Sequence, residues 1–432
     1  MTSQTTADPS ATPNNAPVSV TTSTETIPTP RRWLWFIYPL AMVVMSMVWG
    51  GVMQVLLGKQ VALVVPEPAE SAGVLGLTIS AAAITAVIAT PIIGRLSDRT
   101  RTRFLGRRNS WIFIAGIISA AGLVLMSQLT SIVAIAVIWA IVVIPLNAVQ
   151  AALVAVMPER IPVSKRGTMS GFVGAAQLVG SYVGITLAGL SAHIFMGYLL
   201  IAAVFLLVTV IFAVTTKDSP APDFSRLTRE ERKEKNKFPS FRSAPDFWWA
   251  FAGRFLLVFG YFSVGSFQLY ILRDYIKVGN ITTAGEVLVA IAGLTTLLSL
   301  VFSAFGGWLS DRVGRLRIFV ALSTLMFLPS GLIYLFFPTL TGAWIAGGIL
   351  GAAFGIYAAV DQALITRVIP NVDNAGRDLG IMNIANAGPQ IIAPVIGGGL
   401  VAITGSYQGL FIMMMICVLL GAISVRFIKS VP

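Results

Sequence analysis

The chain has 432 residues, 56% of them apolar and only 11% charged, with 30 Lys and Arg against 18 Asp and Glu. Soluble domains carry about a quarter charged residues, so most of this surface must face something other than water. One histidine (His193) and one cysteine (Cys417) leave no metal-ligand cluster, no intrachain disulfide and no Ser/His/Asp catalytic set, and no P-loop is present. The expectation is therefore a membrane protein that is not an enzyme and uses no metal or cofactor.

Residues 1–32 are rich in Thr, Ser, Pro and Asn and lack the charged start and apolar centre of a signal peptide, so they read as a disordered cytoplasmic tail. Six apolar spans follow at 33–57, 72–93, 111–129, 131–157, 168–190 and 196–214. A hydrophilic linker, 215–246, carries the mixed-charge stretch SRLTREERKEKNK and divides these from six more at 247–271, 284–308, 318–337, 341–369, 379–402 and 408–428. Each is long enough to cross a hydrocarbon core at about 20 residues per helix. The predicted fold class is an all-α membrane protein, with twelve transmembrane helices in two pseudo-symmetric six-helix bundles, 33–214 and 247–432.

The net charge of +12 raises the question of nucleic acid, and its placement answers it. All Lys and Arg except Lys59, Arg254, Arg273 and Lys277 fall on one side of the predicted spans, including six Arg in 95–108. The positive-inside rule then puts both termini in the cytoplasm, in the cytoplasmic (inner) membrane. Attraction to anionic headgroups accounts for the charge without nucleic acid. Trp33, Trp35, Trp248 and Trp249 open spans, as an interfacial aromatic belt does. His193 closes an apolar segment and reads as interfacial.

The segment GRLSDRTRTRFLGRR at 94–108 returns as GWLSDRVGRLR at 307–317, with Leu96, Ser97, Asp98 and Arg99 matching Leu309, Ser310, Asp311 and Arg312 at an offset of 213. Duplicated halves with a basic hinge at the same place characterise secondary transporters. The pattern resembles the second-to-third-span loop of the major facilitator superfamily, G-x-x-x-D-R-x-G-R-R. Gly94, Asp98, Arg99, Arg107 and Arg108 supply it first, then Gly307, Asp311, Arg312, Gly314 and Arg315. The resemblance implies a conformational latch at Asp98, Arg99, Arg107, Asp311, Arg312 and Arg315 that favours the outward-open state. SDRTRTRFLGRRNSWIFIAG and NAVQAALVAVMPE are also similar to the sucrose and glycoside symporter branch. Leu105 is inserted, however, and that branch's fourth-span acid and arginine fall on Val143 and Val154. Its sucrose assignment is not carried over.

The same offset pairs amides. Gln54 matches Gln268, Gln150 matches Gln362 and Gln177 matches Gln390 at offsets of 214, 212 and 213. Such groups either line a central pathway for a polar ligand or bond helix to helix; Asn147, Asn383 and Asn386 join them on the same grounds. Asp361 is the one acid and Arg254 the one base well inside a span. Intramembrane charge is a functional-site signal: Asp361 could exchange a proton, pair with Arg254 or bind a cation. Glu159 and Asp274 read as interfacial. The first functional expectation is proton-coupled uptake of a neutral polar solute such as a glycoside, by a monomer whose partners are that small molecule, protons and membrane lipids. Proton-driven efflux of an amphiphilic compound is the alternative, and a non-transporting membrane receptor or lipid-handling protein is the reading from another class.

Overall fold

The computed structural model describes residues 32–99, 105–216, 218, 239–242, 244–369 and 375–429. The expected tail and most of the linker lie outside them. Twelve helices are long and apolar enough to cross a membrane, and no strand occurs among the described residues. Helix is the form that satisfies every backbone polar group within one apolar segment. We number them α1 (Leu34–Val64), α2 (Pro68–Arg99), α3 (Arg107–Met126), α4 (Ile132–Arg160), α5 (Val163–Gly189) and α6 (Ile194–Thr215) in the first half. The second half has α7 (Pro245–Gly265), α8 (Ile281–Val313), α9 (Leu316–Phe336), α10 (Leu340–Val368), α11 (Ala375–Thr404) and α12 (Gln408–Arg426).

Every predicted span coincides with one of these helices, and the differences are at the ends. α2 runs to Arg99 and α8 to Val313, so both Asp-Arg motifs sit on a last helical turn. Hydropathy registers only the hydrocarbon crossing, whereas the helix continues into the headgroup region. α7 ends at Gly265 and resumes as the short helix Gln268–Tyr270 and the π-helical turn Ile271–Tyr275.

Packing repeats between the halves. α1 packs on α5 and α6, α2 on α4, and α3 on α4 and α6; correspondingly α7 packs on α11 and α12, α8 on α10, and α9 on α10 and α12. The halves meet through α2 against α11 and α5 against α8, two contacts that exchange under the same pseudo-two-fold.

Both seams are closed at the end away from the basic loops, and the α5–α8 seam is open at the other. Near the start of α2, a Cβ at Gly76 would stand 2.6 Å from the Pro394 carbonyl oxygen of α11, and one at Gly398 would stand 2.9 Å from the Ala72 carbonyl oxygen. Only glycine lets the two backbones approach so closely. Near the end of α5, Gly189 abuts Gly285 and Val289 of α8, and Gly293 lies against Tyr182. Residues 167, 171, 174, 178, 182 and 189 lie on one face of α5 by helical spacing. At its basic-loop end, Gly167, Gly171 and Gly174 have nothing within 4 Å of a Cβ. The face that grips α8 at the far end faces open space at the basic end. The α5–α8 seam is therefore open toward the basic loops.

Candidate functional site

Irregular backbone marks the first helix of each half. In α1, Trp49–Leu56 is π-helical and contains Gln54. At the equivalent place α7 breaks at Ser266–Phe267, and Gln268 starts the segment that follows. A π segment departs from the ordinary ladder of backbone bonds and is frequent at functional sites. Gln54 is half-buried and makes no side-chain hydrogen bond among the described residues. Gln177 is exposed on α5, on the open stretch, and has no partner there either. Gln268 is half-buried beside the Tyr334 hydroxyl.

Three other amides have protein partners. Gln150 Oε1 accepts from Trp49 Nε1 at 3.1 Å, joining α4 to the π segment of α1. Asn147 Nδ2 donates to the Val143 carbonyl at 2.8 Å, and Gln390 Nε2 to the Asn386 carbonyl at 3.1 Å, each within its own helix. The Gln362 side chain lies outside the described residues. No hydrogen bond joins two of these amides to each other among the described residues.

The structure does bring the two intramembrane charges together. Arg254 Nη1 lies 3.3 Å from Asp361 Oδ2, with side-chain exposures of 12% and 7%, and the Tyr357 hydroxyl donates to Asp361 Oδ1 at 3.0 Å. The pair bridges α7 and α10. Arg254 Nε is buried without a hydrogen-bond partner among the described residues, so the cluster retains a donor. Tyr261 stacks on Phe354 at 5.0 Å nearby in sequence on the same two helices.

At the basic end, Glu159 is built into a network, where the sequence placed it at an interface. It accepts from Arg107 at 2.8 Å and from Arg108 at 2.9 Å. Arg160 pairs with Asp218 at 2.8 Å and donates to Asn109 Oδ1. The Asp218 carboxylate accepts from the backbone N–H of Arg108 at 2.5 Å, an anion at the start of α3 where the helix dipole favours it. The linker thus begins tied to its own half. Arg107 contacts Glu159 within the first half, while Arg312 lies over the Trp308 ring at 5.5 Å within the second. Arg315 occupies the position before α9, makes no side-chain hydrogen bond to the helix start and has its side chain exposed. The side chains of Asp98, Arg99 and Asp311 lie outside the described residues.

The opposite end holds a network whose role in joining the halves the sequence did not reveal. The Tyr270 hydroxyl donates to the Gly58 carbonyl of the other half at 2.8 Å. Arg273 lies 4.7 Å over the Tyr270 ring, pairs with Asp274 and reaches Ser71 Oγ of the other half at 3.4 Å. Asp274 also accepts from the Tyr407 hydroxyl at 2.8 Å. Burial and the neighbouring Asp274 carboxylate hold that hydroxyl protonated far above its ordinary range, so it remains a donor. The one available signal was that Arg273 and Asp274 are adjacent charges on the side that has few. Lys59, on the same side, caps α5 through the carbonyls of Ala188 and Gly189 at 2.9 and 2.8 Å. His193 is exposed in the loop before α6.

The sequence matches the profile of the Major Facilitator Superfamily over residues 34–293 and 278–432. No curated protein matches it significantly. Among solved structures, it resembles the nucleoside transporter NupG with a TM-score of 0.69 at 14% identity, over 92% of this chain and 100% of that one. It also resembles a bacterial homologue of the human lysosomal transporter Spinster, inward-facing and occupied, with a TM-score of 0.61 at 16% identity, over 91% of this chain and 94% of that one. At such identities the likeness establishes the fold. The chain belongs to the major facilitator superfamily: it is a membrane transporter of a small molecule, not an enzyme.

Proposed function

We propose that the protein is a proton-coupled importer of a neutral, hydrogen-bonding solute of the glycoside type. The observation that carries this reading is the set of groups left for a ligand. Gln54 on the π segment of α1 and Gln177 on the open face of α5 are amides without protein partners, and amides inside a bilayer need one. The intramembrane charges, by contrast, are paired with each other, Arg254 to Asp361. A neutral polar solute suits amide walls better than an ion does. NupG is a nucleoside transporter, and a nucleoside is itself an N-glycoside. Gln150, Gln268, Gln362, Gln390 and Asn147 complete the proposed lining.

Asp361 is the proposed proton carrier and Arg254 its movable counter-charge. The basic loops face the cytoplasm in this reading, with both termini there, so the opening described above is the inward-open state. Asp98, Arg99, Arg107, Asp311, Arg312 and Arg315 would close that end in the opposite state. The test is uptake of labelled nucleosides and sugar glycosides into proteoliposomes under an imposed inward proton gradient, with and without an uncoupler. Gradient-dependent accumulation abolished by the uncoupler supports the reading. Extrusion against the gradient would favour the efflux reading, and no flux of any probe with retained ligand binding would favour a receptor.

A further inference from the structure

At the basic end, on the outer surface of the second half, α9 and α12 enclose a groove of about 330 Å³. The two helices run in opposite directions, and each presents one face to it. From α9 come Arg317, Ala321 and Leu325, spaced by four residues; from α12 come Leu419, Ile423 and Arg426, spaced by four and three. Because Arg317 opens one helix and Arg426 closes the other, both guanidiniums stand at the same mouth while the apolar residues line the depth. From Arg317 to Leu325 the helix rises about 12 Å, close to the roughly 15 Å of hydrocarbon in one leaflet.

The mouth has positive charge to spare. Arg317 Nη1 donates to the Ile428 carbonyl at 2.5 Å, which holds the side chain against the end of α12 and leaves its other nitrogens for a ligand. Arg426 is exposed and makes no ion pair among the described residues. Asp246, at the start of α7, accepts from the backbone N–H of Lys429 at 3.0 Å. The walls are exposed on the face that meets lipid, Leu419 by 44% and Ile423 by 52%.

We propose that this groove is a binding site for one anionic phospholipid, its phosphodiester between Arg317 and Arg426 and one acyl chain laid between α9 and α12. Two arginines over an apolar slot complement a headgroup with net negative charge, and guanidinium suits phosphate oxygens. A basic pocket between transmembrane helices on the cytoplasmic side is where such headgroups bind. The site is independent of the transported solute.

The test uses the full chain in detergent, titrated with phosphatidylglycerol or phosphatidylcholine of identical chains and read by native mass spectrometry and by melting temperature. Wild type should retain phosphatidylglycerol preferentially. Each mouth arginine near the surface is worth about a fivefold change in affinity, so Arg426→Gln should lower the preference by about that factor without changing the lipid-free melting temperature. Ala321→Phe, which fills the slot and spares the charges, should weaken phosphatidylglycerol and leave water-soluble glycerol phosphate unaffected. Arg367→Gln, a basic residue at the same end outside the groove, should change nothing. Equal retention of the two lipids, or an Arg367→Gln effect as large as that of Arg426→Gln, would overturn the proposal in favour of diffuse surface attraction.

Discussion

Tyr270→Phe removes one oxygen from the closed end of the bundle and little else. The lost bond, from the Tyr270 hydroxyl to the Gly58 carbonyl, joins the two halves at 2.8 Å in a buried setting. The ring keeps its place under Arg273 at 4.7 Å, so packing is retained. The bond exists only while that end is closed, and its net worth is about 0.5–1.5 kcal/mol. Its loss should shift the balance toward the oppositely open state by about twofold to about tenfold. The readout is a thiol introduced by Gly171→Cys on the open stretch of α5, where nothing lies within 4 Å. The single native cysteine, Cys417, is buried and gives little background. Labelling by an impermeant maleimide from the basic-loop side should slow in the Tyr270→Phe protein, by at most that factor. An unchanged labelling rate, with wild-type melting temperature, would refute the idea that this bond holds the closed end.

Gly398→Val should act in the same direction more strongly, because its Cβ meets the Ala72 carbonyl oxygen at 2.9 Å; labelling from the basic side should fall while membrane abundance is maintained, since the halves can separate. Gln54→Leu and Gln177→Leu should each weaken substrate affinity by a few-fold to about tenfold with expression unchanged, measured by concentration dependence of uptake; Gln150→Leu should also lower the melting temperature, because it strands Trp49 Nε1. Asp98→Asn should depress transport and raise labelling of the Gly171→Cys thiol, as expected if the duplicated motif closes the basic end; wild-type transport with unchanged labelling would argue against the latch.

The twelve helices were legible because a hydrocarbon core imposes length and apolarity on each segment separately, and the repeat of Asp98-Arg99 at Asp311-Arg312 announced the two halves. The Arg254–Asp361 pair was visible as two isolated charges, and its formation awaited the crossing of α7 and α10. The amide pairs were visible too, but identical residue types at equivalent depths met different fates. Gln150 found Trp49, whereas Gln54, five residues beyond Trp49 on the same π segment, found no partner. Spacing gives depth and approximate face, while a π turn rotates a face by an amount no spacing records. The closed-end network was hidden for another reason. Arg273, Asp274 and Tyr407 are ordinary interfacial types, and only the docking of α2 on α11 and α5 on α8 makes their end the point of closure.

The most direct test of proton coupling is Asp361→Asn in proteoliposomes loaded with the transported solute. The substitution keeps the side chain's size and an acceptor for the Tyr357 hydroxyl, and removes the carboxylate that Arg254 faces at 3.3 Å. Counterflow exchange should persist, whereas accumulation driven by an imposed proton gradient should be abolished. An Asp361→Asn protein that still concentrates its solute, with wild-type sensitivity to an uncoupler, would contradict the account.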